Sequence, residues 1–220
     1  MKPFTKIVFA FFILAVNTVY AQQMPFADEI QAFKDSDKIA PPPANAILFA
    51  GSSSFRKWTD VQDYFPGYTI INRGFGGSSL TDLIYYADDI IFPYQPKQIV
   101  IYCGDNDLAS SDTITPQIVF DRFKELFTLI RSRMKKVSIL YVSIKPSPAR
   151  KNLLPKMLEA NLAIKNFLKK ERNTAFADVY YKMLNANGTP IQEIFTDDSL
   201  HMNAKGYAVW QKVIEPYLIK

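Results

Sequence analysis

Three consecutive serines, Ser52-Ser53-Ser54, follow the apolar run Ala46-Ile47-Leu48-Phe49-Ala50 and a single glycine, Gly51. A serine at a strand-to-helix turn presents its hydroxyl outward and its backbone N–H at a helix N-terminus, where negative charge is stabilised. The hydroxyl needs a base to become a good nucleophile, and the chain has one histidine, His201. That residue sits in the polar run TDDSLHMN, residues 196–203, just after Asp197 and Asp198. His201 can take a serine proton, and Asp198, three residues earlier, can hold the imidazole in the required tautomer. Asp197 is the alternative orienting acid. Two further loops carry donors suited to an oxyanion. NRGFGGSS, residues 72–79, offers glycine N–H groups that no Cβ shields, and GDND, residues 104–107, offers a side-chain amide. Taken alone, each loop is also an ordinary cap, tight turn or Asx-turn. Four of them in one chain point to a shared task.

The elements that must position these loops are short β-rich runs alternating with longer helical stretches. Strands are predicted at 46–50, 68–72, 98–103, 137–143 and 174–179. Several are apolar at nearly every position, as expected for strands buried on both faces of a parallel sheet. Thr115-Pro116 reads as an N-cap and first helical residue, followed by the stripe Val119, Phe123, Leu126, Phe127, Ile130 and Met134. Met157, Ala160, Ile164, Phe167 and Leu168 mark the next crossover. Trp210, Val213, Ile214, Tyr217 and Leu218 mark a C-terminal helix behind an Asn203 cap. An earlier helix is expected around residues 28–34, leading into APPPA at 40–44. The alternation predicts a doubly wound α/β sandwich of about five parallel strands. Ligands bind such sheets beyond the carboxyl ends of the strands, and all four polar loops fall on that edge.

At 220 residues the chain fits one domain with a full hydrophobic core. Its first 21 residues read separately, as a signal peptide ahead of a domain at 22–220. Lys2 and Lys6 precede the apolar run Ile7–Val16, and Val19-Tyr20-Ala21 supplies the small residues of a cleavage site before Gln22. The run falls short of the ~20 residues needed to span a bilayer, so no stable span is expected after cleavage. An uncleaved anchor is the alternative, and no cysteine follows to make a lipoprotein. An exported protein, periplasmic or secreted, is the expectation. The chain has 26 basic and 21 acidic residues, and losing Lys2 and Lys6 leaves 24 against 21, a net charge of +3. That charge is too mild and too evenly spread to suggest nucleic acid as a partner. Cys103, the single cysteine, has no intrachain partner and reads as a buried small hydrophobe. Neither a metal nor another cofactor is expected. The sequence does not set an oligomeric state.

The blocks GSSS, NRGFGG, GDND and DDSLH resemble the four conserved blocks of the SGNH hydrolases, the GDSL-type lipases and esterases. They occur in that family's order, and the resemblance spans roughly residues 45–219. It implies a flavodoxin-like, three-layer α/β/α sandwich and serine-based ester hydrolysis. The family's first block falls on Gly51-Ser52-Ser53, which implies Ser53 as nucleophile, with Ser52 and Ser54 as turn and cap residues. The implied oxyanion hole is the backbone N–H of Ser53 and of Gly77 with the side chain of Asn106, and Asp198 and His201 complete the triad. Two departures stand out. Ser52 replaces the family's aspartate at a loop-shaping position. Asp105 adds a carboxylate beside the oxyanion donor, where it must point away from the pocket, and Asp107 is expected to tie down the same loop. The family includes lysophospholipases, thioesterases, arylesterases and carbohydrate acetylesterases. The absence of a long exposed apolar stretch favours short acyl esters, acetyl groups on glycans among them, with lysophospholipid esters also in range. Arg56, Arg73, Lys145 and Arg150 lie in or near the active-edge loops, as substrate contacts or as solvated surface charges. The competing functions are a non-catalytic carbohydrate- or phosphate-binding module on the same fold and an extracytoplasmic acyltransferase.

Overall fold

Alternation along the central strands decides how the layers assemble. In the computed structural model, which describes residues 24–220, strand β1 (Ile47–Gly51) is buried at every position. Leu48 and Ala50 point into one core, with Ala46 just before them, and Ile47 and Phe49 point into another. Strands β2 (Ile70–Gly74), β3 (Gln98–Tyr102), β4 (Ser138–Val142) and β5 (Thr174–Ala177) complete a five-stranded sheet in the order β2-β1-β3-β4-β5. Every pairing is parallel. The half-buried β2 and β5 form its edges.

One core packs the sheet against helices α1 (Ala27–Ile39), α4 (Leu80–Tyr85), α5 (Ala87–Ile90), α7 (Pro116–Arg133) and α8 (Leu154–Leu168). The other packs it against the short α2 (Ser53–Arg56) and α3 (Val61–Tyr64) and the C-terminal α9 (Ala204–Ile214). The second core is rich in aromatic rings, with Trp58, Trp210, Phe49, Phe55 and Tyr102 fully buried. Helix α6 (Asp105–Ser110) follows β3 directly. The result is the expected three-layer α/β/α sandwich.

The helix caps follow the sequence. The Thr115 hydroxyl accepts from the Ile118 N–H at 3.3 Å, and Asn203 accepts from Lys205 and Gly206. Departures from the expected bounds have local causes. Helix α1 runs well past residues 28–34, and Met134 lies just beyond the end of α7. Pro216 turns the C-terminus into a 3-10 turn, leaving Tyr217 exposed outside α9. Strand β2 starts two residues later than expected and continues through Arg73 and Gly74, which pair with Ala50 and Gly51. Arg73 is accommodated in the strand by a clamp: its guanidinium pairs with Asp37 of α1, donates to Tyr94 Oη and lies over the Phe33 and Tyr94 rings. Residues 105–107 form the first turn of α6 rather than an Asx-turn. The expected export signal at 1–21 lies outside the described residues, and none of the described helices is long and apolar enough to cross a membrane.

Candidate active site

The order β2-β1-β3 reverses the winding of the chain at β1, so the loops after β1 and β3 diverge and open a crevice. Ser53 enters that crevice as the first residue of α2, and close backbone approaches hold the short helix there. A Cβ on Gly51 would lie 2.1 Å from the Tyr102 carbonyl oxygen, and one on Gly74 would lie 2.4 Å from the Arg56 nitrogen. Glycine at these two positions lets β1 press against β3 and α2 against the end of β2. The Asn72 amide then donates to the carbonyls of Phe55 and Trp58, and Tyr207 Oη donates to the Ser54 carbonyl at 2.9 Å. Ser52 occupies the N-cap position but its hydroxyl makes no cap hydrogen bond. Ser54, expected to be a turn or cap residue, is instead a buried member of the helix. Only Ser53 of the three is partly exposed.

Across the crevice, Ser53 Oγ lies 3.0 Å from His201 Nε2, and His201 Nδ1 lies 2.5 Å from Asp198 Oδ2. The segment carrying both residues is tightly closed. Phe195 and Met202 form an antiparallel bridge, Thr196 N–H donates to the His201 carbonyl at 2.8 Å, and Ser199 adopts φ 57°. Asp198 Oδ1 accepts from the backbone N–H groups of Leu200 and His201 and from the Thr196 hydroxyl. Burial alone would raise the Asp198 carboxyl. The hydrogen bonds from His201, Leu200 and Thr196 outweigh it and hold the group well below the usual carboxylate range. Of the two candidate acids, Asp198 makes the contact with the imidazole.

The glycine loop supplies the facing wall. Gly76 donates its N–H to Glu29 Oε2 at 3.1 Å, and the same oxygen pairs with Arg56 Nε at 2.7 Å. Gly77 N–H, next in the chain, has no hydrogen-bond partner among the described residues. Asn106 Nδ2 lies 3.8 Å from where a Gly77 Cβ would stand, and it donates to the Ser78 carbonyl at 3.0 Å. Gly77 and Asn106 therefore lie side by side, and the Ser78 hydroxyl, next in the glycine loop, donates to the Gly51 carbonyl at 3.3 Å. Gly76 has φ 34°, and a Cβ there would lie 2.2 Å from the Phe26 ring, whereas one on Gly77 would make only an ordinary van der Waals contact with Asn106 Nδ2. Gly76→Ala is expected to cost about 1–3 kcal/mol and lower the melting temperature by at least a few degrees. Gly77→Ala should melt like the parent. Differential scanning fluorimetry on the two variants checks the contrast.

Asp107 ties its loop down as expected. It is fully buried, and its carboxylate accepts from the Leu80 N–H at 2.9 Å and from Arg122 at 2.7 Å. Burial raises its carboxyl, with the Arg122 and Leu80 hydrogen bonds opposing that shift. Asp105 turns away from the crevice into a buried cluster with Tyr102, Lys145 and Arg150. Burial pushes the Lys145 ammonium down to about 7, against the pull of the Asp198 carboxylate. Cys103 is fully buried, and that burial pushes its thiol well up. Three of the four basic residues are thus tied into the protein's own ion pairs rather than standing as solvated charges. Arg73 is clamped by Asp37 and Tyr94, Lys145 is buried on Asp105, and Arg150 bridges Asp105 and Asn106. The more exposed Arg56 pairs with Glu29.

The sheet order and the polar loops at its carboxyl edge fit the SGNH type of hydrolase that the sequence profile identifies. Residues 43–209 match the sequence profile of the GDSL-like lipase/acylhydrolase family, and the chain belongs to that family of ester hydrolases. A search among curated proteins finds no match. Solved structures do match. One is a proposed platelet activating factor from Streptococcus pneumonia, 21% identical with a TM-score of 0.75, covering 87% of this chain and 92% of that one. A GDSL-like lipase from Bacteroides thetaiotaomicron is 20% identical with a TM-score of 0.71, covering 85% and 95%. An acetyl-xylooligosaccharide esterase from Geobacillus is 14% identical with a TM-score of 0.64, covering 81% and 96%. At these identities the likeness is one of fold.

Proposed function

We propose that the chain is an exported serine esterase that cleaves short-chain acyl esters, acetyl groups on glycans in particular, through an acyl-enzyme on Ser53. The observation that carries this reading is the unbroken line from Ser53 Oγ through His201 to Asp198, at 3.0 Å and 2.5 Å. His201 Nε2 takes the Ser53 proton as Oγ attacks the ester carbonyl carbon, and Asp198 stabilises the imidazolium that forms. The tetrahedral oxyanion is met by the N–H groups of Ser53 and Gly77 and by the Asn106 amide. Collapse expels the alcohol with the proton from His201. Water then repeats the sequence on the acyl-enzyme, with His201 again as base, and frees the acid.

The short-chain preference is supported by the makeup of the site loops. The large exposed apolar side chains among the described residues are Met24, Ile39, Tyr85, Leu158, Leu162, Tyr181, Tyr217 and Ile219. None belongs to the loops at 51–54, 72–79, 104–107 or 196–203, so the loops that carry the site present little to grip a long acyl chain. The fold shared with an acetyl-xylooligosaccharide esterase agrees with an acetyl-glycan substrate. Export rests on the signal-like pattern of residues 2–21.

A p-nitrophenyl ester series from acetate to palmitate tests the acyl preference. The expected profile has its highest kcat/KM at acetate and falls steadily as the chain lengthens. Comparable turnover of acetate and palmitate would reject the short-chain reading.

A further inference from the structure

We propose that Arg150 is a positioning residue of the oxyanion hole: anchored on buried Asp105, its guanidinium holds the Asn106 side-chain oxygen so that the free amide hydrogen faces the reacting carbonyl. The inference rests on the proposed roles of Ser53, Gly77 and Asn106.

A side-chain amide has two donor hydrogens and one acceptor oxygen, and its two ends are nearly equal in shape. Something must decide which end meets the oxyanion, because the wrong end would place a partial negative charge against a developing one. Two contacts make that decision here. Arg150 Nη2 donates to Asn106 Oδ1 at 2.9 Å, and Asn106 Nδ2 donates to the Ser78 carbonyl at 3.0 Å. A guanidinium has donors only, so it tolerates the oxygen end and no other. Ser78 uses one amide hydrogen, and the second is left for the crevice beside Gly77. With Arg150 gone, the amide keeps a single hinge, its bond to Ser78, and can swing about it.

Arg150 is itself held from several sides. Its Nη1 faces Asp105 Oδ1, and the Asp105 side chain is only 6% exposed. Lys145 Nζ and Tyr102 Oη each reach Asp105 Oδ2 at 3.2 Å. The backbone joins in, with Arg150 N–H donating to Ser147 O and Ala149 N–H to Ser199 O, inside the segment that carries Asp198 and His201. Asp105, the unusual carboxylate of the GDND block, thus becomes the anchor that keeps a cation one hydrogen bond behind the oxyanion donor. That cation also polarises the amide and strengthens its remaining N–H as a donor.

The experiment is a double-mutant cycle on p-nitrophenyl acetate with the full chain: parent, Arg150→Ala, Asn106→Ala and the double variant, with Ser53→Ala as control. Asn106→Ala is expected to lose about 10²- to 10³-fold in kcat. Arg150→Ala should lose about 10- to 100-fold in kcat, less than removal of the whole donor, with KM within about twofold of the parent. The double variant should be no worse than Asn106→Ala alone, because Arg150 acts only through that amide. If Arg150→Ala melts below the assay temperature, Arg150→Lys carries the test. It keeps a cation on Asp105, but a point charge cannot bridge Asp105 and Asn106 as the planar fork does, and a kcat loss coupled to Asn106 is again expected. Losses that multiply in the double variant, or a raised KM with kcat retained, would overturn the role of Arg150 while leaving the site intact. Retained activity in Ser53→Ala would overturn the site reading itself, and the Arg150 inference with it.

Discussion

Ser53→Ala is expected to lose about 10⁴- to 10⁶-fold in kcat on p-nitrophenyl acetate, the range seen when the nucleophile of a serine triad is removed. Its melting temperature should stay close to that of the parent. The side chain is partly exposed and, among the described residues, its hydroxyl meets only His201 Nε2, so no buried partner is stranded. The neighbours serve as internal controls. Ser52→Ala and Ser54→Ala change buried residues, whereas the His201 contact is made by Ser53, and each should keep most of the activity. Rate and melting curve measured on the three variants together identify the reacting oxygen. Full activity in Ser53→Ala with loss in Ser54→Ala would place the nucleophile one residue later.

Asp198 gives the second large effect, and here the smaller chemical change is expected to do more harm. Three donors converge on Asp198 Oδ1: the N–H groups of Leu200 and His201 at 2.9 and 2.8 Å and the Thr196 hydroxyl at 2.8 Å. In Asp198→Asn those donors select the amide oxygen, which directs the new NH₂ at His201 Nδ1. That nitrogen must then be an acceptor, so Nε2 carries the proton and faces Ser53 Oγ as a donor. The base is locked in the wrong tautomer, and kcat should fall about 10⁴-fold. Asp198→Ala removes the orienting group without imposing a tautomer, so its loss should be smaller than that of the asparagine variant. Steady-state kinetics on the pair decide the point. Equal losses, or a worse alanine variant, would mean that Asp198 matters for something other than tautomer control.

What could be read from the chain beforehand follows from how local each signal is. The central strands were legible because burial on both faces makes them apolar at nearly every position, as in β1 and β3. The caps at Thr115 and Asn203 were legible because a cap is a contact over three residues. Ser53 and Asn106 follow β1 and β3 closely, the Asp198–His201 pair comes after the last strand and just before α9, and the family resemblance set their register. The end of β2 was misread because a charged residue followed by glycine looks like a loop. Only the long-range clamp of Asp37 and Tyr94 on Arg73 makes that residue fit a strand. The Asp105–Lys145–Arg150 cluster was illegible for the same reason. Asp105 lies 40 or more residues before its two cations, so their pairing exists only once β3 and β4 are side by side. The run SPAR, residues 147–150, held an arginine with no sequence signal to say whether it faced solvent, substrate or its own chain.

The profile match begins at residue 43, beyond the end of α1 at Ile39, yet α1 braces the loops that carry the site. Glu29 joins the N–H of Gly76 to Arg56, three residues after Ser53, and Phe26 packs edge-on against Phe75. Family boundary and working boundary therefore do not coincide. A chain begun where the shared sequence begins would keep Ser53, Asp198 and His201 but lose both the Glu29 strut across its glycine loop and the Asp37 clamp on the end of β2. It would be a hydrolase by inventory and a loosened one in operation.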